Sequence, residues 1–366
     1  MEKYEPFSRG PFPVGVKTFE FVDSARNRKL TIECWYPARE SYLGKDLDKQ
    51  TQDQFLLMPS FPKMRQSAVR DAEPTEGFYP LVIFSHGLAG HRRQTTHFCT
   101  HLASRGYMVA SPDHVGNTMP DILQLAMQLQ KKGNDIPDVI KALMDSAKDR
   151  PLDAVFTIDS ILAGEMGANV DQDRIGIAGH SFGGWTTLQT VGREPRIKAA
   201  LPLAPAGGKS KGNPPSNMFS SILSLEWDRE VPVLFLAADL DSLLPLDGMK
   251  ELFSRTPRPK DMVILQNADH FHFCDGVEQT HDLFRKMGGL GPILDPGGKS
   301  GPDPMKNAKP AAQLCPGKLA YLFLQGLGLA HMDAHLKGDP GALEFLKGDI
   351  LSLLIERGIK AEVIRG

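Results

Sequence analysis

Short apolar runs rich in β-branched residues alternate with stretches of helical periodicity along most of the chain. Such runs are typical of parallel strands that are covered on both faces of a sheet. The alternation therefore predicts an α/β fold with a mostly parallel central sheet and helices on both of its faces. The predicted buried strands span residues 81–85, 107–110, 174–178, 198–203, 231–236 and 262–265.

The first apolar runs follow a different pattern. Residues 15–22 and 30–36 are separated by the charged stretch SARNR, which predicts an antiparallel hairpin ahead of the parallel strands. Helical periodicity between the later strands predicts the helices, and a long terminal helix follows the last strand. The predicted helices span residues 95–105, 151–168, 182–192, 248–253 and 317–337.

Three segments interrupt the alternation of strands and helices. Residues 38–79 are polar and irregular, residues 117–150 carry apolar positions at helical spacing, and residues 275–316 are rich in Gly and Pro. We interpret them as insertions in one α/β domain that spans residues 1–366. The second and third segments follow strands at the edge of the sheet where ligands bind in open α/β folds, so they are candidates for a cap over the site.

Composition narrows the classes of partner. The 366 residues are 41% hydrophobic, enough for a sizeable core, and 42 Lys and Arg nearly balance 44 Asp and Glu. A net charge of −2 offers no field that would attract nucleic acid, so we expect a small-molecule ligand and no nucleic-acid partner. No apolar run reaches the roughly 18 residues of a membrane-spanning helix.

The N-terminus and the cysteines bear on the location of the protein and on disulfide or zinc sites. The sequence MEKYEPFSRGPFP has no basic segment followed by an apolar one, so no signal peptide is visible and we expect a cytoplasmic protein, unless a leader precedes this sequence. Four cysteines lie far apart without a CxxC pair, which argues against a structural zinc site and a disulfide scaffold. The composition leaves the oligomeric state open.

The stretch GHSFGG, residues 179–184, is the first candidate for chemistry. A β-branched strand leads directly into G-x-S-x-G, and a predicted helix follows it, which is the setting of a nucleophile elbow. Glycines are needed there because side chains beside so sharp a turn would collide with the strand or the helix. Ser181 is therefore the predicted nucleophile.

A serine hydroxyl needs a histidine base and an acid that orients the imidazole. In this architecture both follow later strands, and the turns AADLDSLLPL and NADHFHF offer two carboxylates and two imidazoles. We favour Asp241, which precedes small and aliphatic residues and a proline, over Asp239, which suits hydrogen bonds within its own turn. We favour His270, which follows a short polar turn, over His272, which lies between two phenylalanines.

Acyl transfer also needs two backbone N–H donors for the oxyanion. The elbow supplies one donor, the N–H of Phe182. The loop HGLAGHRRQ after the first parallel strand is the candidate for the other, because Gly87 permits close backbone approach and Leu88 follows it. Leu88 and Phe182 are the predicted oxyanion-hole residues.

Together, PLVIFSHGLAG, YMVASPDHVGNT, RIGIAGHSFGG and the Asp and His turns resemble an α/β-hydrolase group. It contains the platelet-activating factor acetylhydrolases and the dienelactone-hydrolase-like serine esterases. The resemblance covers about residues 14–37, 80–115, 150–273 and the terminal helix. It implies a serine carboxylesterase that works through an acyl-enzyme, without metal or organic cofactor, on small to medium esters such as short acyl esters or lactones.

Two departures qualify the resemblance. In the acetylhydrolases the acid follows the strand after the elbow, but that stretch reads KAALPLAPAGGKS here and has no carboxylate. The acid then comes from the next turn, as in dienelactone-hydrolase-like and cutinase-like esterases, which favours Asp241 and weakens the case for a phospholipid substrate. Dienelactone hydrolases also use cysteine where this chain has Ser181.

The sequence also offers pairs of histidines and two further functional classes. The pairs His331 with His335 and His97 with His101 share helical spacing, but neither has the H-E-x-x-H sequence of a zinc protease, so no metal site is expected. An amidase or peptidase could use the same triad, and a non-catalytic homologue could use the cleft to hold a small apolar ligand. The complete set of triad and loop residues favours the esterase.

Overall fold

The computed structural model describes residues 4–56, 63–132, 136–164, 166, 169–211, 214–288 and 304–366. Ten strands form one sheet in the order β12-β11-β10-β9-β8-β6-β7-β2-β1-β5, and β3 pairs with β4 beside it. The strands are β1 (Val14–Asp23), β2 (Arg28–Pro37), β3 (Gln54–Phe55), β4 (Met64–Arg65), β5 (Val69–Arg70), β6 (Phe78–Ser85), β7 (Met108–Pro112), β8 (Asn169–His180), β9 (Ile197–Leu203), β10 (Val233–Ala238), β11 (Lys260–Leu265) and β12 (Ala361–Arg365).

The middle of the sheet is parallel and its flanks contain antiparallel pairs. Strands β7, β6, β8, β9, β10 and β11 run in the same direction. The β1–β2 hairpin joins one side by antiparallel pairing of β2 with β7, and β12 pairs antiparallel with β11 on the other side. The parallel strands are almost entirely buried, as expected for a sheet covered on both faces.

Helices follow most of the parallel strands. They are α1 (Thr96–Ser104), α2 (Met119–Lys132), α3 (Ile136–Ala147), α4 (Asp149–Leu162), α5 (Phe182–Val191), α6 (Leu246–Arg255), α7 (Val277–Met287), α8 (Gly317–Met332), α9 (Pro340–Lys347) and α10 (Ile350–Ile355). Within the described ranges, no helix combines the length and the apolar character needed to cross a membrane. The α/β prediction is confirmed.

The structure corrects several predicted boundaries. The helix predicted over 151–168 ends at Leu162, shortly before Gly164 adopts a positive φ of 88°. Residues 117–150 contain α2, α3 and the start of α4, so the apolar spacing in that segment reflects real helices. Strand β12 was not predicted because AEVIR is short and only partly buried. Part of the third segment, residues 289–303, lies outside the described residues.

Two buried histidines couple stability to pH. Burial is the largest cause that lowers the pKa of His101 and His114 to about 4 from the usual value near 6.5. The unfolded chain therefore binds more protons than the folded chain between pH 6.5 and pH 4. The free energy of unfolding consequently falls as the pH is lowered through this window.

The contribution of a single histidine to this pH dependence can be tested at His101. Its Nε2 lies 2.9 Å from the backbone oxygen of Pro6, and a glutamine amide can donate the same hydrogen bond. We expect His101→Gln to reduce the slope of unfolding free energy against pH by about 1.4 kcal/mol per pH unit between pH 6.5 and pH 4. Urea unfolding at a series of pH values measures the slope, and an unchanged slope would contradict the assignment.

Candidate active site

Ser181 lies in the turn between β8 and α5 with the backbone conformation of a nucleophile elbow. Its φ is 59° and its ψ is −117°, in a region that non-glycine residues rarely occupy. The surrounding backbone holds this conformation: the Ser181 N–H donates to Leu203 at 2.8 Å, and its carbonyl accepts from Gly184 and Ala206. Hydrogen bonds to the end of β9, to α5 and to Ala206 thus hold the strained backbone conformation of Ser181 in place.

The glycines of the motif are required by close backbone contacts. A Cβ on Gly183 would lie 1.8 Å from the carbonyl oxygen of Ser85, and a Cβ on Gly179 would lie 2.3 Å from that of Gly183. Both distances are far below van der Waals contact. The turn therefore brings α5 against the end of β6, which carries the next candidate loop.

Asp241 and His270 follow neighbouring parallel strands, β10 and β11, and their side chains meet. The Nδ1 of His270 lies 2.7 Å from Oδ2 of Asp241, and both side chains are buried. The other carboxylate oxygen of Asp241 accepts the backbone N–H groups of Leu243 and Leu244. The carboxylate is thus held in one orientation, and Nδ1–H of His270 donates to it, which leaves Nε2 unprotonated in the neutral ring.

The two alternative candidates, Asp239 and His272, have other hydrogen-bond partners. Asp239 accepts the backbone N–H of Ala268 at 3.0 Å, a hydrogen bond between neighbouring loops. His272 accepts the N–H of Asp269 through Nδ1 and lies 3.0 Å from the carbonyl oxygen of Cys315 through Nε2. Both nitrogens of His272 therefore face backbone groups.

Asp269 ties the acid loop to the histidine loop. Its Oδ1 accepts the N–H and the hydroxyl of Ser242, next to Asp241, and also the N–H of His270. One buried carboxylate thus sets the spacing between the Asp241 and His270 backbones. The same negative charge adds to burial, the larger cause, in raising the pKa of Asp241.

The loop after β6 lies beside the elbow. A Cβ on Gly87 would be 3.3 Å from Cβ of Ser181, so this loop passes the nucleophile at van der Waals distance. Among the described residues, neither the N–H of Leu88 nor that of Phe182 has a hydrogen-bond partner. Phe182 is the first residue of α5, where N–H groups have no acceptor within the helix.

The peptide between Gly87 and Leu88 is fixed through its carbonyl group. The Gly87 oxygen lies 2.7 Å from Nδ1 of His86 and accepts the N–H of Gly90. Nε2 of His86 accepts the N–H of His114, so the ring proton is on Nδ1 and donates to Gly87. Because the N–H of a trans peptide points opposite to its C=O, these bonds determine the direction of the Leu88 N–H.

Arg150 supports the same loop from inside the protein. The guanidinium is fully buried and donates to the carbonyl of His86 and to side-chain oxygens of Thr186 and Asn117. It also lies 4.5 Å from the ring centroid of Phe182. Burial lowers its pKa to about 9, so it remains charged at neutral pH. The backbone of Asn117 in turn accepts the N–H of Ala89 at 2.8 Å.

Replacing Arg150 with methionine should destabilise the protein, because several buried acceptors would lose their donor. We expect a loss of about 3–5 kcal/mol in the free energy of unfolding. Arg174→Met is the matched control, since Arg174 forms a partly exposed ion pair with Asp171 and one exposed hydrogen bond to the carbonyl of Phe78, and its loss should cost less than about 1 kcal/mol. Urea unfolding compares the two variants, and equal losses would contradict this role.

Apolar clusters pack against the loops that carry the candidate site residues. Phe182 packs with Trp185 and Phe219, and the Phe182 and Phe219 rings stack at 4.3 Å. Leu88 contacts this cluster and a second one formed by Ala89, Ile122 of α2 and Leu143 of α3. On the histidine side, Phe271 packs against Cys274, Met305 and Phe284. Residues of the second and third inserted segments therefore pack against loops that carry candidate site residues.

The histidine pairs have separate environments. His97 is paired with Asp275 at 2.7 Å, while the ring of His101 faces Pro6. Within the described parts of the chain, no three His, Cys, Asp or Glu side chains form a group that could hold a metal ion. The ring centroids of His331, in the last turn of α8, and His335, in the turn Asp333–Lys337 that follows it, lie 4.9 Å apart.

Sequence reasoning missed the residues that support the site. Four side chains form hydrogen bonds with its loops: His86, Gln94, Arg150 and His180. In the motifs HGLAGHRRQ and G-x-S-x-G, three of them occupy only variable or flanking positions, and Arg150 lies outside both motifs. Gln94 is the clearest case, since it lies seven residues after Gly87 in a polar stretch. The hydrogen bonds of such residues depend on the tertiary structure and have no local sequence signal.

Two family models match the chain. The model "Platelet-activating factor acetylhydrolase, isoform II" matches residues 6–119. The model "Dienelactone hydrolase family" matches residues 68–283, more than half of the chain. The second match includes the loop after β6, the elbow and the turns with Asp241 and His270.

Relatives and a solved structure point the same way. The chain is 26% identical to platelet-activating factor acetylhydrolase of Cavia porcellus over 326 residues, which covers 77% of this chain and 71% of that protein. It is 24% identical to the putative carboxymethylenebutenolidase of Methylorubrum extorquens over 239 residues, covering 59% and 76%. It is also 27% identical to cutinase est1 of Thermobifida alba over 198 residues, covering 53% and 54%.

A ferulic acid esterase from Streptomyces cinnamoneus resembles the structure with a TM-score of 0.59 at 25% identity, covering 92% of this chain and 93% of that one. This likeness extends over nearly the whole chain and agrees with the parallel sheet and its flanking helices. The family match, the relatives and the topology lead to one conclusion: the chain is a hydrolase with the α/β-hydrolase fold and belongs to the dienelactone hydrolase family.

Proposed function

We propose that the protein is a serine carboxylesterase that cleaves small to medium esters through an acyl-enzyme. Ser181 is the nucleophile, His270 the general base and acid, and Asp241 the residue that orients the imidazole. The N–H groups of Leu88 and Phe182 form the oxyanion hole. The observation that carries this proposal is the 2.7 Å contact between His270 and Asp241, at the same edge of the sheet as a serine in elbow conformation.

In acylation, Nε2 of His270 removes the proton from Ser181 as its Oγ attacks the ester carbonyl. The carbonyl oxygen becomes an oxyanion, and two backbone donors stabilise it. Fixed donors help most where charge develops, because they need no reorganisation during the reaction. The bonds that His86 and Gly90 make to Gly87 supply that rigidity for the Leu88 donor.

Collapse of the tetrahedral intermediate expels the alcohol, which takes the proton that His270 holds. A water molecule then attacks the acyl-enzyme, and His270 accepts its proton and returns it to Ser181. Asp241 stays ionised throughout and stabilises the imidazolium that forms in each step. The two backbone N–H groups bound to its Oδ1 favour the ionised carboxylate.

The surroundings support a substrate of modest size with apolar groups. Leu88 and Phe182 are part of apolar clusters that include residues of α2, α3 and the segment near Phe219. We infer that the described parts of the second and third inserted segments cover the site and limit the substrate to short acyl esters or lactones. The names of the relatives, which include a cutinase and a carboxymethylenebutenolidase, are consistent with ester or lactone bonds.

The proposed activity is tested with the native protein on p-nitrophenyl esters of increasing acyl length and on the matching p-nitroanilides. An esterase should turn over the short esters and discriminate strongly against the anilides, whose amine is a poorer leaving group. The best acyl length would then define the size of the acyl pocket. Comparable rates on both series would favour an amidase, and a folded protein without turnover of any ester would contradict the proposal.

A further inference from the structure

The side chain of Gln94 lies between three parts of the candidate site. Its Oε1 accepts the backbone N–H of Gly87 at 2.9 Å, in the loop that carries Leu88. Its Nε2 lies 2.6 Å from Nδ1 of His180, the residue directly before Ser181. Nε2 of His180 lies 2.9 Å from the carbonyl oxygen of His270. One amide thus connects the oxyanion loop, the elbow and the histidine loop.

The direction of each hydrogen bond follows from chemistry. The N–H of Gly87 can only donate, so the oxygen of the Gln94 amide must face it, and the amide nitrogen then faces His180. Nδ1 of His180 must accept, which places the ring proton on Nε2, where it can donate to the carbonyl of His270. All three bonds are satisfied by one tautomer of His180 and one orientation of Gln94.

The surroundings favour this neutral tautomer. His180 is buried, and burial is the largest cause that lowers its pKa well below the usual value, followed by the charge of His270. The two rings lie 4.5 Å apart between centroids. The amide of Gln94 fits here only because residue 90 is glycine: a Cβ on Gly90 would lie 2.2 Å from Oε1 of Gln94.

We propose that Gln94 is a positioning residue that sets the oxyanion loop and the histidine loop in register around Ser181. It acts on the peptide before Gly87 and, through His180, on the backbone of His270. This inference rests on the proposed function, since both loops matter only for acyl transfer at Ser181. Gln94 itself makes no contact with the substrate in this role.

The test is Gln94→Met, which keeps the length of the side chain and removes the amide hydrogen bonds to Gly87 and His180, together with the contact of Nε2 with Sγ of Cys274 at 3.1 Å. We expect kcat for p-nitrophenyl acetate to fall about tenfold to a hundredfold with KM changed less than about twofold, because only the transition-state geometry is affected. The affinity for a trifluoromethyl ketone, which forms a tetrahedral adduct, should fall by a similar factor.

Gln66→Met is the matched control. Gln66 is a buried glutamine with two side-chain hydrogen bonds of 2.6 Å, to Trp35 and Asp53, beside the β1–β2 hairpin. Its loss should lower Tm without changing kcat. An equal loss of kcat in both variants, or a Gln94→Met effect confined to KM or to Tm, would overturn the assignment.

Gln94→Glu provides a second variant of nearly the same size should the methionine variant fail to fold. It keeps an acceptor for Gly87 and loses the donor to neutral His180, so its kcat should be reduced less than that of Gln94→Met. The carboxylate can bond to Nδ1 of His180 only when that nitrogen carries a proton, so a kcat equal to that of the native protein at pH 9 would overturn the proposal.

Two further measurements separate this proposal from the proposed function. Absence of ester turnover in the native protein, or turnover retained by Ser181→Ala, would contradict the esterase. Native-like kcat in Gln94→Met beside an active native enzyme would contradict only the role of Gln94. The ¹⁵N shifts of the His180 ring test the network without activity: Nδ1 should be unprotonated, and a protonated Nδ1 in the native protein would overturn it.

Discussion

Ser181→Ala is expected to lower kcat/KM for p-nitrophenyl esters by about four to six orders of magnitude while the protein stays folded. The reason is that no acyl-enzyme can form without the hydroxyl. The replacement removes one oxygen atom from a turn held by backbone hydrogen bonds to Leu203, Gly184 and Ala206, so the fold should be preserved. Initial rates and Tm, measured on the same preparations, give both quantities.

Ser254→Ala is the matched control for this experiment. Ser254 is an exposed residue near the end of α6, and its hydroxyl donates to the carbonyl of Glu251 within the same helix. This variant should retain the native kcat/KM. Substantial ester turnover in Ser181→Ala would assign the chemistry to a different nucleophile.

Asp241→Asn is expected to lower kcat by about three to four orders of magnitude. An amide in place of the carboxylate no longer stabilises the imidazolium, and its nitrogen can force the wrong tautomer on His270. The effect should appear in kcat with Tm little changed, because Asn can still accept the N–H groups of Leu243 and Leu244. Steady-state kinetics with p-nitrophenyl acetate measure it.

Asp239→Asn serves as the comparison, since this residue lies two positions earlier in the same loop. Its carboxylate accepts the N–H of Ala268, a bond that the side-chain oxygen of asparagine can also accept. Its kcat should stay within about tenfold of the native value. A larger loss in Asp239→Asn than in Asp241→Asn would reverse the assignment of the triad acid.

The parallel core and the site motifs were predictable from the sequence because each has a local signal. Buried parallel strands read as short apolar runs, and the elbow needs glycines at fixed positions beside Ser181. The order of the loops along a parallel sheet then brings Asp241 and His270 to the same edge as the elbow. In the structure these two side chains lie 2.7 Å apart, while their roles beside Ser181 stay a prediction.

The supporting residues could not be predicted because their partners are distant in sequence. Gln94 and His180 are 86 positions apart, and Arg150 reaches the carbonyl of His86 from 64 positions away. No periodic pattern marks a polar side chain that is buried against another loop. Strand β12 was missed for a related reason: it is formed by pairing with β11, and its own residues are only partly buried.

The competing nucleophile near the site is a thiol. Cys274 lies 3.6 Å from Nδ1 of His180, but burial raises its pKa to about 12, so it is protonated at neutral pH and is a poor nucleophile. We therefore expect Ser181, and not Cys274, to carry the acyl group. Dienelactone hydrolases use a cysteine at the elbow, the position that Ser181 occupies here.

The most direct measurement is mass spectrometry of the protein after reaction with a p-nitrophenyl alkylphosphonate, which transfers its phosphonyl group to an activated serine and releases p-nitrophenol. We predict one adduct per chain, located on the peptide that contains Ser181, formed with loss of esterase activity and absent in Ser181→Ala. An adduct on another residue that abolishes activity, or an active protein that forms no adduct, would contradict the proposed mechanism.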